Sequence, residues 1–289
     1  MNPNRLSRLI DLLRSSSLDG LVFNPGPSLT YLTGLHFHLM ERPVVLLLTS
    51  QSNPVIVLPE LEMGKLSTVE PPIQGFAYQD NPATWKAAFR QACDFLKLDG
   101  KTIGLEPTRL RVLELNYLQA AAPQARFVSA EAQLEKLRLF KDEQEIAAMQ
   151  RAVDIAQQAF TETLPFIRPG VTEKEIAAEL TIRLLRAGSE PEFPFQPLIA
   201  SGPNSANPHA LPGERKLAEG DLLIIDWGAT YQGYCSDLTR TLAIGSIDPE
   251  LEQIHRLVLA ANAAGRAACQ PGPSAGSVDV ATRAVITAG

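Results

Sequence analysis

Cysteine, histidine and long apolar runs are all scarce in this sequence. Its 289 residues include four histidines and three cysteines (Cys93, Cys235 and Cys269), and no two cysteines form a Cys-x-x-Cys pair. A disulfide framework is therefore not expected, and a reducing compartment, the cytoplasm, fits best. The longest apolar run, Pro43–Leu48, is far shorter than the roughly 20 residues of a membrane-spanning helix.

Basic residues are also too few and too scattered to bind polyanions. The chain has 26 Lys and Arg against 32 Asp and Glu, a net charge of −6. Nucleic acid and anionic membrane surfaces are therefore excluded as expected partners. Residues 1–17 lack the apolar core and the cleavage site of a secretory signal, and Asp11 and Asp19 interrupt any resemblance to a transit peptide. A cytoplasmic location is expected.

What the chain does have is the composition of a globular protein, arranged in two parts. Residues are 45% apolar and 20% charged, which allows a buried core. In residues 1–137, short apolar runs such as Val44–Leu48 and Val55–Leu58 read as buried strands. Helical patterns lie between such runs, so this part is predicted to be a layered α/β domain. It contains no glycine-rich phosphate loop and no cluster of metal ligands, so its predicted role is structural.

The pattern becomes helical at the start of residues 141–289, which are predicted to form the second domain. Asp142 with Glu145, and Thr172 with Glu175, have the spacing of capping boxes, in which each side chain accepts from the other's backbone amide. Each pair therefore predicts the start of a helix. The apolar residues of the first helix are predicted to form one buried stripe, which comprises Ile146, Met149, Val153, Ala156 and Phe160.

The second domain contains an apparent internal duplication. A helix, a Pro169-Gly170 break and a second helix ending at Ala187-Gly188 are matched by a helix, a Pro271-Gly272 break and a helix ending at Ala288-Gly289. A strand-rich stretch follows the first copy, whereas the sequence stops after the second. A helix pair normally buries its apolar face against another layer. We therefore expect half of a two-part sheet to be missing.

Two aspartates in residues 221–243 carry the clearest chemical signal. Apolar, strand-like runs flank a turn, and a turn centred between Tyr231 and Gln232 would place Asp226 directly opposite Asp237. Opposite residues have Cβ atoms about 4.5–5.5 Å apart on one face. Two such carboxylates repel, so either one keeps a proton, or a cation lies between them, or both face water. The flanking apolar runs favour burial, and the pair would suit Mn, Mg, Co or Zn.

One histidine lies in a loop upstream of this hairpin. His209 is within SGPNSANPHALP, where glycine, proline, asparagine and serine predict a loop. A single loop histidine is usually just solvated. The alternatives are less suitable, however, because His36 and His38 fall in the first domain and His255 lies in a helical pattern.

These residues together resemble a known family. Two stretches of sequence carry the resemblance, ASGPNSANPHA and DLLIIDWGATYQGYCSDLTRTLAIG. Within them, Asp226 follows His209 by 17 residues, and Asp237 follows Asp226 by 11. They resemble the Xaa-Pro aminopeptidases and Xaa-Pro dipeptidases (prolidases) of the creatinase/methionine-aminopeptidase superfamily. The resemblance also includes NPGPSLTYLTGLHF and LRLFKDEQEIAAMQRA, and so covers nearly the whole chain. It implies an N-terminal creatinase-type α/β domain, residues 1–137, and an α+β pita-bread catalytic domain, residues 141–289.

The resemblance also implies a reaction. In this family two divalent cations, most often Mn with Co or Zn as alternatives, are held by two Asp, one His and two Glu. Asp226 and Asp237 match the two aspartates, with Asp237 bridging the cations. In the family, a metal-bound hydroxide attacks the scissile carbonyl of the Xaa-Pro bond in a peptide with proline at its second position. His209 matches a catalytic histidine that holds the substrate and stabilises the tetrahedral intermediate. A homodimer is also implied.

The sequence departs from the family pattern at its end. The family's remaining ligands, one His and two Glu, and its second catalytic histidine would lie beyond Gly289. The chain is therefore expected to be truncated, with an incomplete pita-bread domain, and to be inactive alone because two of five ligands do not hold a dinuclear site. The alternative is a truncated, non-catalytic remnant that binds a partner or dimerises. Metal-free, creatinase-like hydrolysis is disfavoured because Asp226 and Asp237 are both present.

Overall fold

A computed structural model of the chain describes residues 3–289. Residues 1 and 2, with which the predicted first domain begins, lie outside the described residues. The chain divides into two compact units, the first ending at Lys141 and the second beginning at Asp142. Within residues 3–289, no helix combines the length and the apolar character needed to cross a membrane. All three cysteines are free thiols, in agreement with the prediction from their spacing.

The first unit is built on a mixed sheet, which has six strands in the described part of the chain. Their order is β4-β3-β2-β1-β5-β6. β1 is parallel to β5 and antiparallel to β2. The strands are β1 (Gly20–Phe23), β2 (Val45–Thr49), β3 (Val55–Pro59), β4 (Gln74–Tyr78), β5 (Thr102–Leu105) and β6 (Arg126–Ser129). The helices are α1 (Pro3–Arg14), α2 (Pro27–Thr33), α3 (Pro82–Leu96), α4 (Val112–Ala121), α5 (Glu131–Leu139) and a 3-10 helix (Glu60–Thr68).

Helices cover both faces of this sheet, which is why its central strands are apolar throughout. Alternate residues of β1 enter different cores: Phe23 packs with Leu29 of α2, whereas Val22 packs with Phe89 of α3 and Leu118 of α4. Every residue of β1, β2 and β3 is buried. Strands buried on both faces read as continuous apolar runs rather than alternating ones. The prediction of a layered α/β domain is therefore confirmed.

The second unit combines two helix pairs with a small antiparallel sheet. In the described part of the unit the sheet has the strand order β11-β8-β7, and β9 and β10 form a separate two-stranded ribbon. The strands are β7 (Leu198–Ser201), β8 (Leu222–Trp227), β9 (Thr230–Tyr231), β10 (Tyr234–Cys235) and β11 (Leu238–Ala243). The helices are α6 (Glu143–Thr163), α7 (Glu173–Ala187), α8 (Pro249–Ala268) and α9 (Ala275–Ala288), with 3-10 turns at Leu164–Phe166 and Gly202–Ala206.

The two helix pairs differ in what they bury. α6 and α7 pack on one face of the sheet, where Ile176 and Leu180 of α7 meet Ile225 and Trp227 of β8. α8 and α9 pack on each other. Of these two helices, both of which lie within the described residues, only Ala261 and Gly265 are buried. The core of the second unit therefore lies between the first helix pair and the sheet.

The predicted apolar stripe of α6 is wrong in part. Ile146 and Met149 are exposed, at 57% and 37% of their full accessible surface. The buried face is instead mostly alanine, including Ala148, Ala152 and Ala159. Small side chains let the hairpin strands approach α6 closely enough to hydrogen-bond to its backbone carbonyls.

Candidate metal centre

Asp226 lies near the end of β8, on the face of the sheet that turns away from α6 and α7. Leu223, Ile225 and Trp227 alternate with it and are fully buried against the helices. The Asp226 side chain is half-buried, and its Oδ1 atom has no solvent exposure and no hydrogen-bond partner within residues 3–289. Burial raises the pKa of Asp226, and the nearby charge of Asp237 raises it further. This carboxylate is therefore held in a position where its charge is not satisfied by the protein.

The turn of the hairpin lies one residue further along the chain than predicted. Tyr231 pairs with Tyr234, so the turn residues are Gln232 and Gly233, which have positive φ values of 50° and 76°. Two consecutive left-handed residues form the two-residue turn whose twist matches that of antiparallel strands. The predicted turn centre between Tyr231 and Gln232 is therefore wrong.

This turn changes the relation between the two aspartates. Asp226 is directly opposite Thr239, not Asp237, and the nearby Thr239 side chain partly offsets the increase in the pKa of Asp226. Extending the same register by two residues places Asp237 across from Gly228. Asp226 and Asp237 are thus diagonal neighbours on one face, a relation in which Cα atoms are about 7–8 Å apart. This spacing leaves more room for a cation between the carboxylates than direct opposition would. Asp226 is half-buried and Asp237 is exposed, so the predicted burial of the pair is wrong for Asp237.

The hairpin that carries the aspartates is attached to α6 by two side chains, one next to each aspartate in the sequence. Trp227 donates from Nε1 to the carbonyl of Ala156 at 3.0 Å and stacks on Phe160 with ring centroids 4.7 Å apart. Ser236 donates from Oγ to the carbonyl of Ala152 at 3.0 Å. Each of these anchors is adjacent in sequence to one of the aspartates. The backbone next to each aspartate is therefore anchored to the same helix, α6.

His209 is in a loop, as predicted, and its side chain is exposed. Its backbone N–H donates to Asn207 Oδ1 at 2.9 Å. Among the contacts of residues 3–289, none joins His209 to Asp226 or Asp237. The structure thus brings together two of the three predicted site residues. The same part of the chain contains no group of three or more His, Cys, Asp or Glu arranged to hold a metal.

An ion pair missed by the sequence analysis connects the His209 loop with the start of β8. Arg215 donates to both carboxylate oxygens of Asp221, at 2.6 and 2.9 Å, and to Ser201 Oγ at 2.7 Å. The hydrogen bond from Arg215 holds the pKa of Asp221 below its usual range. Because Asp221 immediately precedes β8 and Ser201 ends β7, the pair fixes both strands beside the loop.

A second residue missed by the sequence analysis is Glu173, the first residue of α7. Its side chain is fully buried and accepts hydrogen bonds from Ser201, Asn204 and Gly213. Burial raises the pKa of Glu173, but these hydrogen bonds outweigh burial and the net pKa is lowered. The sequence shows only an acidic residue in a helix's first turn, which is common on solvent-exposed surfaces and carries no signal of burial.

Comparison with known proteins places both units in families. Residues 5–140 match the Creatinase/Prolidase N-terminal domain, and residues 147–289 match Metallopeptidase family M24. A Bacillus subtilis protein named "Putative dipeptidase YkvY" is 30% identical over 285 residues, 98% of this chain and 77% of the relative. The Xaa-Pro dipeptidase of Lactobacillus helveticus is 29% identical, over 98% of this chain and 77% of its own.

A solved structure agrees with these matches. The crystal structure of a dipeptidase from Pyrococcus horikoshii OT3 aligns with a TM-score of 0.89 at 33% identity, over 98% of this chain and 78% of that one. The predicted fold, a creatinase-type N-terminal domain followed by a pita-bread domain, is confirmed by this likeness. The chain belongs to metallopeptidase family M24, with a creatinase/prolidase N-terminal domain.

Proposed function

We propose that this chain provides part of the active site of a metal-dependent peptidase that cleaves the Xaa-Pro bond at peptide N-termini. The observation that carries the proposal is the position of Asp226 and Asp237 on one face of the hairpin, with Asp226 Oδ1 buried and unpartnered. A buried oxygen without a donor is costly unless something else satisfies it. A divalent cation would do so.

The donor set fits a hard or borderline cation. Asp226 and Asp237 would hold it through carboxylate oxygens, the ligands that Mn²⁺ and Mg²⁺ prefer. A divalent cation in such a site supplies Lewis acidity and lowers the pKa of water. His209, exposed on its loop, would hold the peptide and donate to the oxygen on which negative charge develops. Manganese and a homodimeric state enter the proposal from the family resemblance.

The proposed substrate is a peptide with proline in the second position. The Lactobacillus helveticus relative named Xaa-Pro dipeptidase supports this choice. We expect no turnover by the 289-residue chain alone, because two carboxylates are too few ligands and no group of three is present in residues 3–289.

The test compares the purified chain with the gene product isolated from its source cells. Each is treated with chelator, reloaded with Mn²⁺, Co²⁺ or Zn²⁺, and assayed on Ala-Pro, Ala-Pro-Ala and Ala-Ala. Asp237→Asn is the test variant and Asp154→Asn, an exposed aspartate on α6, is the matched control. We expect the cellular product to cleave the proline peptides only, and Asp237→Asn to lower kcat/KM on the order of a thousandfold.

Each part of the proposal can fail separately. Equal cleavage of Ala-Ala would overturn the proline specificity. Activity that survives chelation or Asp237→Asn would overturn the metal site. Turnover by the chain alone, abolished by Asp237→Asn, would show that it needs no further ligands. A cellular product that is inactive with every metal would favour the non-catalytic, partner-binding alternative.

A further inference from the structure

Both ends of the loop that carries His209 are held by one carboxylate. Loop 201–213 leaves the sheet at Ser201 and returns to α7 at Gly213. Glu173 Oε1 accepts from the backbone N–H and from the hydroxyl of Ser201, both at 2.8 Å. Glu173 Oε2 accepts from the backbone N–H of Gly213 at 3.1 Å. The side chain therefore closes the base of the loop.

Two further contacts make the closure more specific. Asn204, within the loop, donates from Nδ2 to both Glu173 oxygens, at 3.1 and 3.2 Å. The backbone N–H groups of Glu173 and Lys174 donate to the carbonyls of Arg215 and Gly213, at 3.0 and 3.1 Å. The first turn of α7 and the loop thus satisfy each other's polar groups. Every side-chain contact of Glu173 uses it as an acceptor, the arrangement that suits the ionised carboxylate, which has no proton to donate.

The same network reaches the strand of the proposed metal centre. Ser201 Oγ, which donates to Glu173, accepts from Arg215, and Arg215 is paired with Asp221. Asp221 immediately precedes β8, the strand of Asp226. The base of the His209 loop and the metal-binding strand are therefore connected through charged hydrogen bonds, which are stronger and more geometrically specific than neutral ones.

We propose that Glu173 is a positioning residue for His209: it closes loop 201–213 so that the imidazole is presented at a fixed place relative to β8. The proposal rests on the substrate-holding role given to His209 above. Glu173 itself is fully buried and touches no substrate. Its effect on the reaction would pass through the loop.

The first test measures loop order in the purified chain. Glu173→Gln keeps the size of the side chain but turns one acceptor into a donor that faces donors. Glu175→Gln is the matched control in the same helical turn, because Gln also completes a capping box. By hydrogen exchange, we expect Glu173→Gln to speed exchange at Ser201 and Gly213 about tenfold or more. Exchange in α6 and β8 should stay unchanged, as should the whole pattern of Glu175→Gln.

The second test asks whether Glu173 acts through His209. It uses the cellular gene product and measures kcat and KM for Ala-Pro in Glu173→Gln, His209→Ala and the double variant. We expect Glu173→Gln alone to lower kcat/KM roughly 10- to 100-fold. The loss should be divided between kcat and KM in the same proportion as in His209→Ala. In the His209→Ala background its effect should shrink to less than about threefold, because residues that act as a unit are not additive.

The outcomes separate this proposal from the proposed function. Additive losses, or loop exchange unchanged in Glu173→Gln, would overturn the role of Glu173 and leave the peptidase proposal intact. Full activity of His209→Ala would overturn both roles. If Glu173→Gln fails to fold, Asn204→Ala removes only the side-chain contact from the loop, and the same cycle with His209→Ala then decides.

Discussion

Replacing Gly228 with alanine tests how tightly the backbone at Ser236 and Asp237 packs against the facing arm of the hairpin. A Cβ on Gly228 would lie 2.1 Å from the carbonyl oxygen of Ser236 and 2.6 Å from Cγ of Pro194. Contacts below 3.0 Å are essentially never made by real Cβ atoms. The Ser236 backbone would have to move by about 1 Å, and Asp237, the next residue, would move with it.

The magnitude follows from what Ser236 would lose by moving. Its backbone N–H donates to the carbonyl of Ala229 at 2.9 Å, and its hydroxyl bridges Ala229 N and Ala152 O, both at 3.0 Å. Overpacking costs about 1–3 kcal/mol, and one buried hydrogen bond left unmade costs a further 1–3 kcal/mol or so. We therefore expect Gly228→Ala to lower the free energy of unfolding of the second unit by about 2–6 kcal/mol.

Tryptophan fluorescence can follow the second unit by itself. The chain has two tryptophans: Trp85 lies in α3 of the first unit, and Trp227 is fully buried beside Gly228. In a Trp85→Phe background, urea unfolding monitored at Trp227 reports the second unit. Gly276→Ala in α9 is the control, since the nearest atom to its new Cβ is 3.8 Å away. It should be neutral or stabilising by up to about 1 kcal/mol. A free energy of unfolding for Gly228→Ala that lies within about 0.5 kcal/mol of the value for this control would refute the packing argument.

Two further predictions concern buried carboxylates. Hydrogen bonds lower the pKa of Asp221, and they also lower the net pKa of Glu173 despite its burial. As the pH falls, the unfolded chain therefore takes up protons before the folded one does. The stability that these carboxylates contribute at pH 7 should begin to fall below about pH 5 and should be lost as the pH passes through the folded-state pKa values. Urea titrations at several acidic pH values measure this loss of stability. Glu173→Gln should lose less stability on acidification than the unchanged chain, and identical pH profiles for the two proteins would contradict the prediction. Burial and a neighbouring charge raise the pKa of Asp226, so ionised Asp226 destabilises the metal-free fold. Asp226→Asn, which removes the charge at nearly constant size, should therefore raise the urea midpoint at pH 7. A lower midpoint would contradict that reasoning.

The starts of helices were predictable because their determinants are local. Asp142 and Glu145 accept from each other's backbone N–H groups at 2.9 Å, and Thr172 and Glu175 form the second predicted capping box. Each capping box lies within four consecutive residues, so spacing alone identifies it. The same holds for the buried strands of the first unit.

The turn of the aspartate hairpin could not be placed with the same certainty. It depends on Gln232 adopting a left-handed conformation, which non-glycine residues seldom do. In the sequence, only Gly233 indicates where the turn lies. A shift of one residue in the turn centre moves the cross-strand partner of every residue by two positions. Because a shift of two keeps each residue on the same face, the prediction that both aspartates share a face agrees with the register, whereas the predicted direct opposition is wrong.

The hydrogen bonds of Glu173 are not predictable from the sequence for a different reason. Its partners Ser201 and Gly213 lie 28 and 40 residues further along the chain. No periodicity or spacing connects residues so distant. Only the fold shows that a glutamate in an ordinary helix start is buried and that the loop returns to it.

Comparison of Glu173 with Asp226 separates carboxylates that stabilise the fold from one that does not. The fold surrounds Glu173 with donors on both oxygens, and these hold its pKa below that of a free side chain despite burial. In the same unit, Asp226 Oδ1 is buried with no donor in the described residues, and a second carboxylate lies diagonal to it. An asparagine would have nearly the same size and would carry no charge at this half-buried position. Stability therefore does not account for an aspartate at 226, whereas the proposed cation, shared with Asp237, would account for both the unpartnered oxygen and the neighbouring charge.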